Sequence, residues 1–81
     1  MKIAVKLFAR ARDLAGTESM TVDIPAEGTV ASLRGAMREV CPALAPLTPH
    51  LFVAINAQYA GDTVTIRPSD EVACFPPVSG G

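Results

Sequence analysis

Lys2-Ile3-Ala4-Val5-Lys6-Leu7-Phe8 is the stretch on which the reading of this 81-residue chain turns. Ile3, Val5 and Leu7 fall on one face, and Lys2, Ala4, Lys6 and Phe8 on the other. That period of two is the signature of a strand with one face in a core and one toward solvent. Directly after it, Ala9-Arg10-Ala11-Arg12-Asp13-Leu14-Ala15 is rich in helix formers and runs into Gly16, a residue that accepts the left-handed conformation ending a helix. One or two helical turns are expected there, with Arg12 and Asp13 in solvent. Met20, Val22 and Ile24 then alternate with Ser19, Thr21 and Asp23 as far as Pro25, which predicts a second strand antiparallel to the first.

Thr29 is placed to cap a helix from Val30 to about Val40. Its apolar positions Val30, Leu33, Met37, Val40 and Cys41 follow the 3.6-residue period and read as core. Gly35 interrupts this helix at a cost of about 1 kcal/mol relative to alanine; either it allows close packing on the sheet or it is simply tolerated. Pro42 stops the helix, and Pro46 and Pro49 mark the rest of that segment as a loop, with an apolar turn around Ala43, Leu44 and Leu47 as a plug for the core. Leu51 to Ile55 reads as a third strand, Asn56 as a turn residue, and Gln58-Tyr59-Ala60 as a short fourth strand. Thr63 to Ile66 is a brief pairing segment, and after the turn-like Arg67-Pro68-Ser69-Asp70 the run Glu71-Val72-Ala73-Cys74-Phe75 is the last strand. The succession strand, strand, helix, strand, short strand, strand predicts an α+β fold of the β-grasp type: a mixed sheet of four to five strands with one main helix on one face. The last strand then lies beside the first and parallel to it. The expected division is a folded domain over residues 1–75 and an extended tail over 76–81.

Composition narrows the function classes. Hydrophobic residues make up 49% of the chain and charged residues 19%, with a net charge of −1, so the basic excess that phosphate backbones attract is missing and nucleic acid is not an expected partner. Lys6 interrupts the N-terminal apolar run before a signal-peptide core forms, and no apolar run approaches the roughly 18 residues of a membrane span. A cytoplasmic protein is expected. Cys41 and Cys74 have no CxxC pairing and read as two free thiols. His50 is the only histidine and reads as a surface or loop residue; no metal site and no bound cofactor are expected.

The chemistry points to the other end of the chain, Phe75-Pro76-Pro77-Val78-Ser79-Gly80-Gly81. A carboxylate on Gly81 has no substituent beside it and fits a narrow foreign active site. With a pKa of about 3.3–3.7 it is ionised at neutral pH and is a poor electrophile until activated, typically as an anhydride with AMP. Gly80 and Gly81 let an enzyme close around the chain, while Pro76 and Pro77 favour an extended exit. The segment from Pro76 onward spans up to about 20 Å, at roughly 3.3 Å per residue. The alternative is a frayed terminus of small residues.

Three stretches carry a resemblance to a known family: Leu7-Phe8-Ala9 with Arg12-Asp13-Leu14-Ala15-Gly16; Thr29-Val30 with Leu33; and Asp70-Glu71-Val72-Ala73 followed by Phe75-Pro76-Pro77-Val78-Ser79-Gly80-Gly81. Together they resemble the small sulfur-carrier subunit of molybdopterin synthase, a ubiquitin-like protein, with the thiamine-pathway carriers as relatives. Ser69 stands where that family often has glycine, and Cys74 where a second aromatic is common, which leaves open whether Cys74 faces the core or a partner. The resemblance implies that Gly81 is adenylated by a ubiquitin-activating-enzyme-like adenylyltransferase that uses ATP. It further implies that Gly81 becomes a thiocarboxylate by way of a sulfur donor such as a cysteine desulfurase or rhodanese-like protein. The sulfur would pass to a cyclic pyranopterin phosphate within a complex with the large synthase subunit, with this chain as a non-catalytic donor. Val78, Ser79 and Gly80 would thread the tail together with the prolines. Phe8 and Phe75 are core residues by default but candidates for the partner interface by position, and Arg12 is a further candidate. Carriers for thiamine or tRNA thiolation, a ubiquitin-like modifier, and a non-reactive interaction module are the alternatives.

Overall fold

A computed structural model describes residues 1–77 of the chain. Strand β1 (Lys2–Leu7) is followed by helix α1 (Ala9–Ala15), strand β2 (Ser19–Asp23), helix α2 (Val30–Val40), strands β3 (Phe52–Ile55) and β4 (Gln58–Ala60), and strand β5 (Val72–Phe75). Two 3₁₀ turns, Pro42–Leu44 and Thr48–His50, occupy the proline-rich segment between α2 and β3.

The five strands form one sheet in the order β2-β1-β5-β3-β4. β1 and β2 are antiparallel, with Ile3 opposite Val22 and Val5 opposite Met20. β5 runs parallel to β1, Val5 beside Val72 and Leu7 beside Cys74, as the element order predicts. β3 is antiparallel to β5, which sets Phe52 opposite Phe75 and Ala54 opposite Ala73. The alternation of β1 is realised as read: Ile3, Val5 and Leu7 are buried and Lys2, Ala4 and Lys6 exposed.

Helix α2 covers the core face of the sheet with Val30, Leu33 and Met37. Its start is held by a reciprocal cap in which Ser32 N–H donates to Thr29 Oγ1 at 3.4 Å and Thr29 N–H donates to Ser32 Oγ at 3.2 Å. Arg34 pins the helix sideways, donating from Nε to Asp62 at 2.8 Å and from Nη1 to the Thr48 carbonyl at 2.7 Å. The expected apolar stripe stops one turn early. Val40 is the last helical residue and is exposed, because Cys41 leaves helical geometry at φ −134° and Leu44, on the following turn, supplies the buried side chain instead. A Cβ at Gly35 would meet only Arg38 Nη2, at 3.8 Å, so no close approach requires the glycine and it is tolerated rather than needed.

Two turns fix the site end of the sheet. Gly16, at φ +72°, ends α1 as its sequence position predicts, donating to the Arg12 carbonyl at 2.9 Å. The β3–β4 hairpin turns through Asn56 and Ala57, both with positive φ (52° and 68°), as a two-residue hairpin loop requires for its twist. Asn56 also clamps the start of β5. Its Nδ2 donates to Asp70 at 2.9 Å, its Oδ1 accepts from Glu71 N–H at 2.9 Å, and its own N–H donates to the Glu71 carbonyl at 2.8 Å. β5 is therefore held on both sides and at its origin.

Candidate functional site

The expected reactive residues Val78, Ser79, Gly80 and Gly81 lie outside the described residues; the base from which they continue does not. β5 sits in the middle of the sheet, between β1 and β3, and passes directly into Pro76 and Pro77. The expected central exit of the chain is thus realised as far as Pro77.

Around that exit the sheet turns its uncovered face outward. The chain has three phenylalanines, one tyrosine and no tryptophan, and none of the four aromatics is in the buried core. Phe8 and Phe75 stack with ring centroids 4.7 Å apart and planes 9° from parallel. Phe52, the register partner of Phe75, meets Tyr59 at 5.8 Å in a tilted arrangement. Relative exposures of 40% for Phe8, 52% for Phe52 and 78% for Tyr59 leave much of this apolar area in water. With Pro76 and Pro77 the four rings line a hollow of about 420 Å³. Below it, Ala4, Ala54 and Ala73 share the same face with Lys6, and Ala57 and Glu71 border the far end.

The default expectation of a core role for Phe8 and Phe75 is thereby corrected. Phe8 lies one residue beyond β1 in extended geometry (φ −127°, ψ 153°), and Ala9, at φ +52°, swings the chain into α1 and leaves the ring on the open side. Phe52 and Tyr59 belong to the same cluster and were not singled out from sequence. The signal was present: Phe52 stands out of phase with Leu51, Val53 and Ile55 along the third strand. Arg12 lies on α1, half exposed, with Asp13 Oδ1 at 4.0 Å from its Nε.

Chemically the hollow offers apolar contact rather than reactive groups. Apart from the Tyr59 hydroxyl, its lining among the described residues carries no acid, base or nucleophile. Cys74 is fully buried, its thiol 3.9 Å from the Met37 sulfur, which settles its orientation toward the core. Burial pushes its pKa up from 9.0 to about 12, with the positive charge of Arg34 pulling weakly the other way, so it is no thiolate at neutral pH. Both cysteines are free. Among the described residues no group of three or more His, Cys, Asp or Glu side chains is arranged to hold a metal ion, and no helix is long and apolar enough to cross a membrane.

A mixed five-stranded sheet with one main helix on one face, the last strand parallel to the first and an aromatic patch at its exit define the class: a ubiquitin-like β-grasp protein. Small archaeal modifier protein 1 from Haloferax volcanii superposes with a TM-score of 0.87 over the whole of both chains, at 31% identity. A chain from a complex of subunits 1 and 2 of the molybdopterin-converting factor from Helicobacter pylori, at 20% identity and a TM-score of 0.70 over the whole of both chains, shares the fold. In sequence, the molybdopterin synthase sulfur carrier subunit of Arabidopsis thaliana is 33% identical over 81 residues, covering all of this chain and 84% of the relative. The ThiS family model matches residues 5–81, and the chain belongs to the ThiS family.

Proposed function

We propose that this protein is a sulfur carrier of molybdenum-cofactor synthesis, the small subunit of a molybdopterin synthase. The observation that carries the reading is full-length similarity to proteins of that name, at 30–34% identity across plants, animals and a slime mould. The structure supports it physically. A rigid central strand delivers the chain into Pro76 and Pro77, and a tip hung from such a strand is placed better than one hung from a loop.

The chemistry runs through Gly81. One carboxylate oxygen attacks the α-phosphorus of ATP on an adenylyltransferase of the ubiquitin-activating type, and pyrophosphate leaves. The acyl-AMP is an electrophile, so the outer sulfur of a donor persulfide attacks the acyl carbon and displaces AMP; a second thiol then cleaves the acyl disulfide, forming a disulfide with the donor sulfur and releasing the thiocarboxylate. In complex with the large subunit, the thiocarboxylate sulfur bonds to a carbon of the cyclic pyranopterin phosphate as an oxygen substituent leaves, and water cleaves the resulting thioester, which keeps the sulfur on the pterin and returns Gly81 to a carboxylate. The chain is a group carrier in this scheme, working in the cytoplasm, and the large subunit supplies the pocket and the catalytic side chains. The aromatic face is the surface that the large subunit covers, since exposed aromatics clustered at one place anchor protein interfaces. For comparison, the Helicobacter pylori protein was solved as a complex of subunits 1 and 2.

The test is intact mass of the protein purified from its native host. An oxygen-to-sulfur exchange at the C-terminus, followed by dithiolene formation when the large subunit and the pyranopterin are added, is the expected result. Absence of the sulfur form, or of any acyl-AMP with ATP and the activating enzyme, overturns the proposal. The 31% identity and TM-score of 0.87 to an archaeal modifier protein favour a second reading, in which the same activated carboxyl is passed to lysine amines of other proteins. Conjugates that persist under denaturing, reducing conditions and vanish on deletion of Gly81 would establish it.

A further inference from the structure

The exit of the chain is steered at Phe75. Backbone pairing of β5 with β1 ends at Cys74, opposite Leu7, and Pro76 and Pro77 have no N–H with which to extend a ladder on either side. On the β3 side Phe75 still has Phe52 as its register partner. On the β1 side its ring is stacked on Phe8, with centroids 4.7 Å apart and planes 9° from parallel. Phe8 is itself well held. Its carbonyl accepts from Ala11 N–H at 3.2 Å and from Arg12 N–H at 3.4 Å, and Ala9, at φ +52°, turns α1 aside so that the ring stays over Phe75. A residue other than glycine keeps a left-handed conformation only where its surroundings impose it, so the turn at Ala9 ties the Phe8 ring to the body of the fold.

Phe75 and Pro76 each precede a proline, which confines both to extended backbone. Phe75, Pro76 and Pro77 therefore form a stiff stem whose direction is set where Phe75 is held, and whatever follows inherits that direction. Over the roughly 20 Å that Pro76 to Gly81 can span, a swing of about 10° at Phe75 moves the tip by about 3.5 Å. About 1 Å of misplacement at a reacting group can cost about 100-fold in rate. We infer that Phe8 is a positioning residue: stacked on Phe75, it aims the stem and through it Gly81, in addition to the area it lends to docking. The inference rests on the sulfur-carrier reading above and adds to it the side chain that directs the tail.

The experiment mixes the full chain, given a C-terminal thiocarboxylate chemically so that the activating enzyme is bypassed, with the large synthase subunit and the cyclic pyranopterin phosphate. Kd is measured by titration, and the transfer rate in a single turnover with the large subunit in saturating excess. Phe8→Leu keeps the apolar bulk and loses the flat face, whereas Phe8→Tyr keeps both. Phe8→Leu is expected to stay within about threefold of the parent chain in Kd and to fall at least about tenfold in rate, and Phe8→Tyr to recover the rate to within about threefold. Phe75→Leu breaks the same stack from its other side and is expected to slow transfer likewise, with the double variant no slower than the slower single one, because both lose one shared contact. Thermal midpoints check folding, and Phe75→Leu carries the test alone where Phe8→Leu is unfolded. A parental rate in the leucine variants at saturation, a change confined to Kd, or a loss in Phe8→Tyr equal to that in Phe8→Leu refutes the aiming role and leaves the carrier reading in place. If the thiocarboxylated parent chain transfers no sulfur, the reading and the inference fall together.

Discussion

Replacing Phe8 by alanine separates the two jobs a large aromatic can have in so small a domain. A phenylalanine side chain offers about 200 Å²; at 40% exposure, Phe8 hides more than half of this against its neighbours and leaves on the order of 80 Å² to water. At about 25 cal/mol per Å², the hidden part is worth at most about 3 kcal/mol. Alanine retains the Cβ and the site opens to solvent rather than to a cavity, so Phe8→Ala should cost about 1.5–2 kcal/mol of stability, well below the 3–5 kcal/mol of a core phenylalanine. For a domain of 81 residues that is a fall of roughly 10 °C in Tm. The open part is worth about 2 kcal/mol when a partner covers it, or about 30-fold in Kd. Both numbers are accessible by thermal denaturation and by titration with the large synthase subunit. A double-mutant cycle with Phe75→Ala isolates the stacked pair, expected to couple by about 0.5–1.5 kcal/mol. A stability loss above 4 kcal/mol would show that Phe8 is core, and unchanged docking would remove it from the interface; either result refutes the reasoning.

Gly35→Ala should stabilise the chain by about 0.5–1 kcal/mol in chemical denaturation, since the new methyl meets nothing nearer than Arg38 Nη2 at 3.8 Å; destabilisation would reveal a packing constraint at that turn of α2. Ala57→Gly should raise Tm slightly, because an L-residue pays about 1–2 kcal/mol in the left-handed region that Ala57 occupies at φ 68°, more than the about 0.4–1 kcal/mol of chain entropy that glycine adds to the unfolded state; a lower Tm contradicts this. Cys74 should resist alkylation in the native protein at pH 8 while Cys41 reacts, with denaturant abolishing the difference. The folded pKa of about 12 lies above the unfolded value near 9.0, so the thiol's contribution is intact below pH 9 and is lost as pH rises toward 12. Stability should fall by up to about 1.4 kcal/mol per pH unit in that window, and Cys74→Ala should flatten the slope; an equal slope in both proteins would rule the thiol out as its cause.

Local periodicity carried far in this chain. The buried face of β1, the Thr29 cap, the α1 stop at Gly16, and the short fourth strand at Gln58–Ala60 are each dictated by residues within a few positions of one another, and each is present as expected. Element order was enough for the β-grasp topology, because few connections bring a helix onto one face and return the last strand beside the first. Val40 shows the limit, since a helical period does not reveal the turn at which the chain leaves the helix and another residue, here Leu44, takes over the burial.

The tertiary structure alone assembled the aromatic face. Phe8, Phe52, Tyr59 and Phe75 are spread over most of the chain, and alternation says only that each lies opposite its buried neighbours. Whether that opposite side is covered depends on where α2 crosses, and which rings meet depends on the register of β5 between β1 and β3. The sequence on its own determined the elements and the chemistry expected at Gly81; long-range pairing placed four aromatics and Lys6 on the one face left bare. Side-chain period is a property of a single strand, whereas exposure is a property of what packs against it.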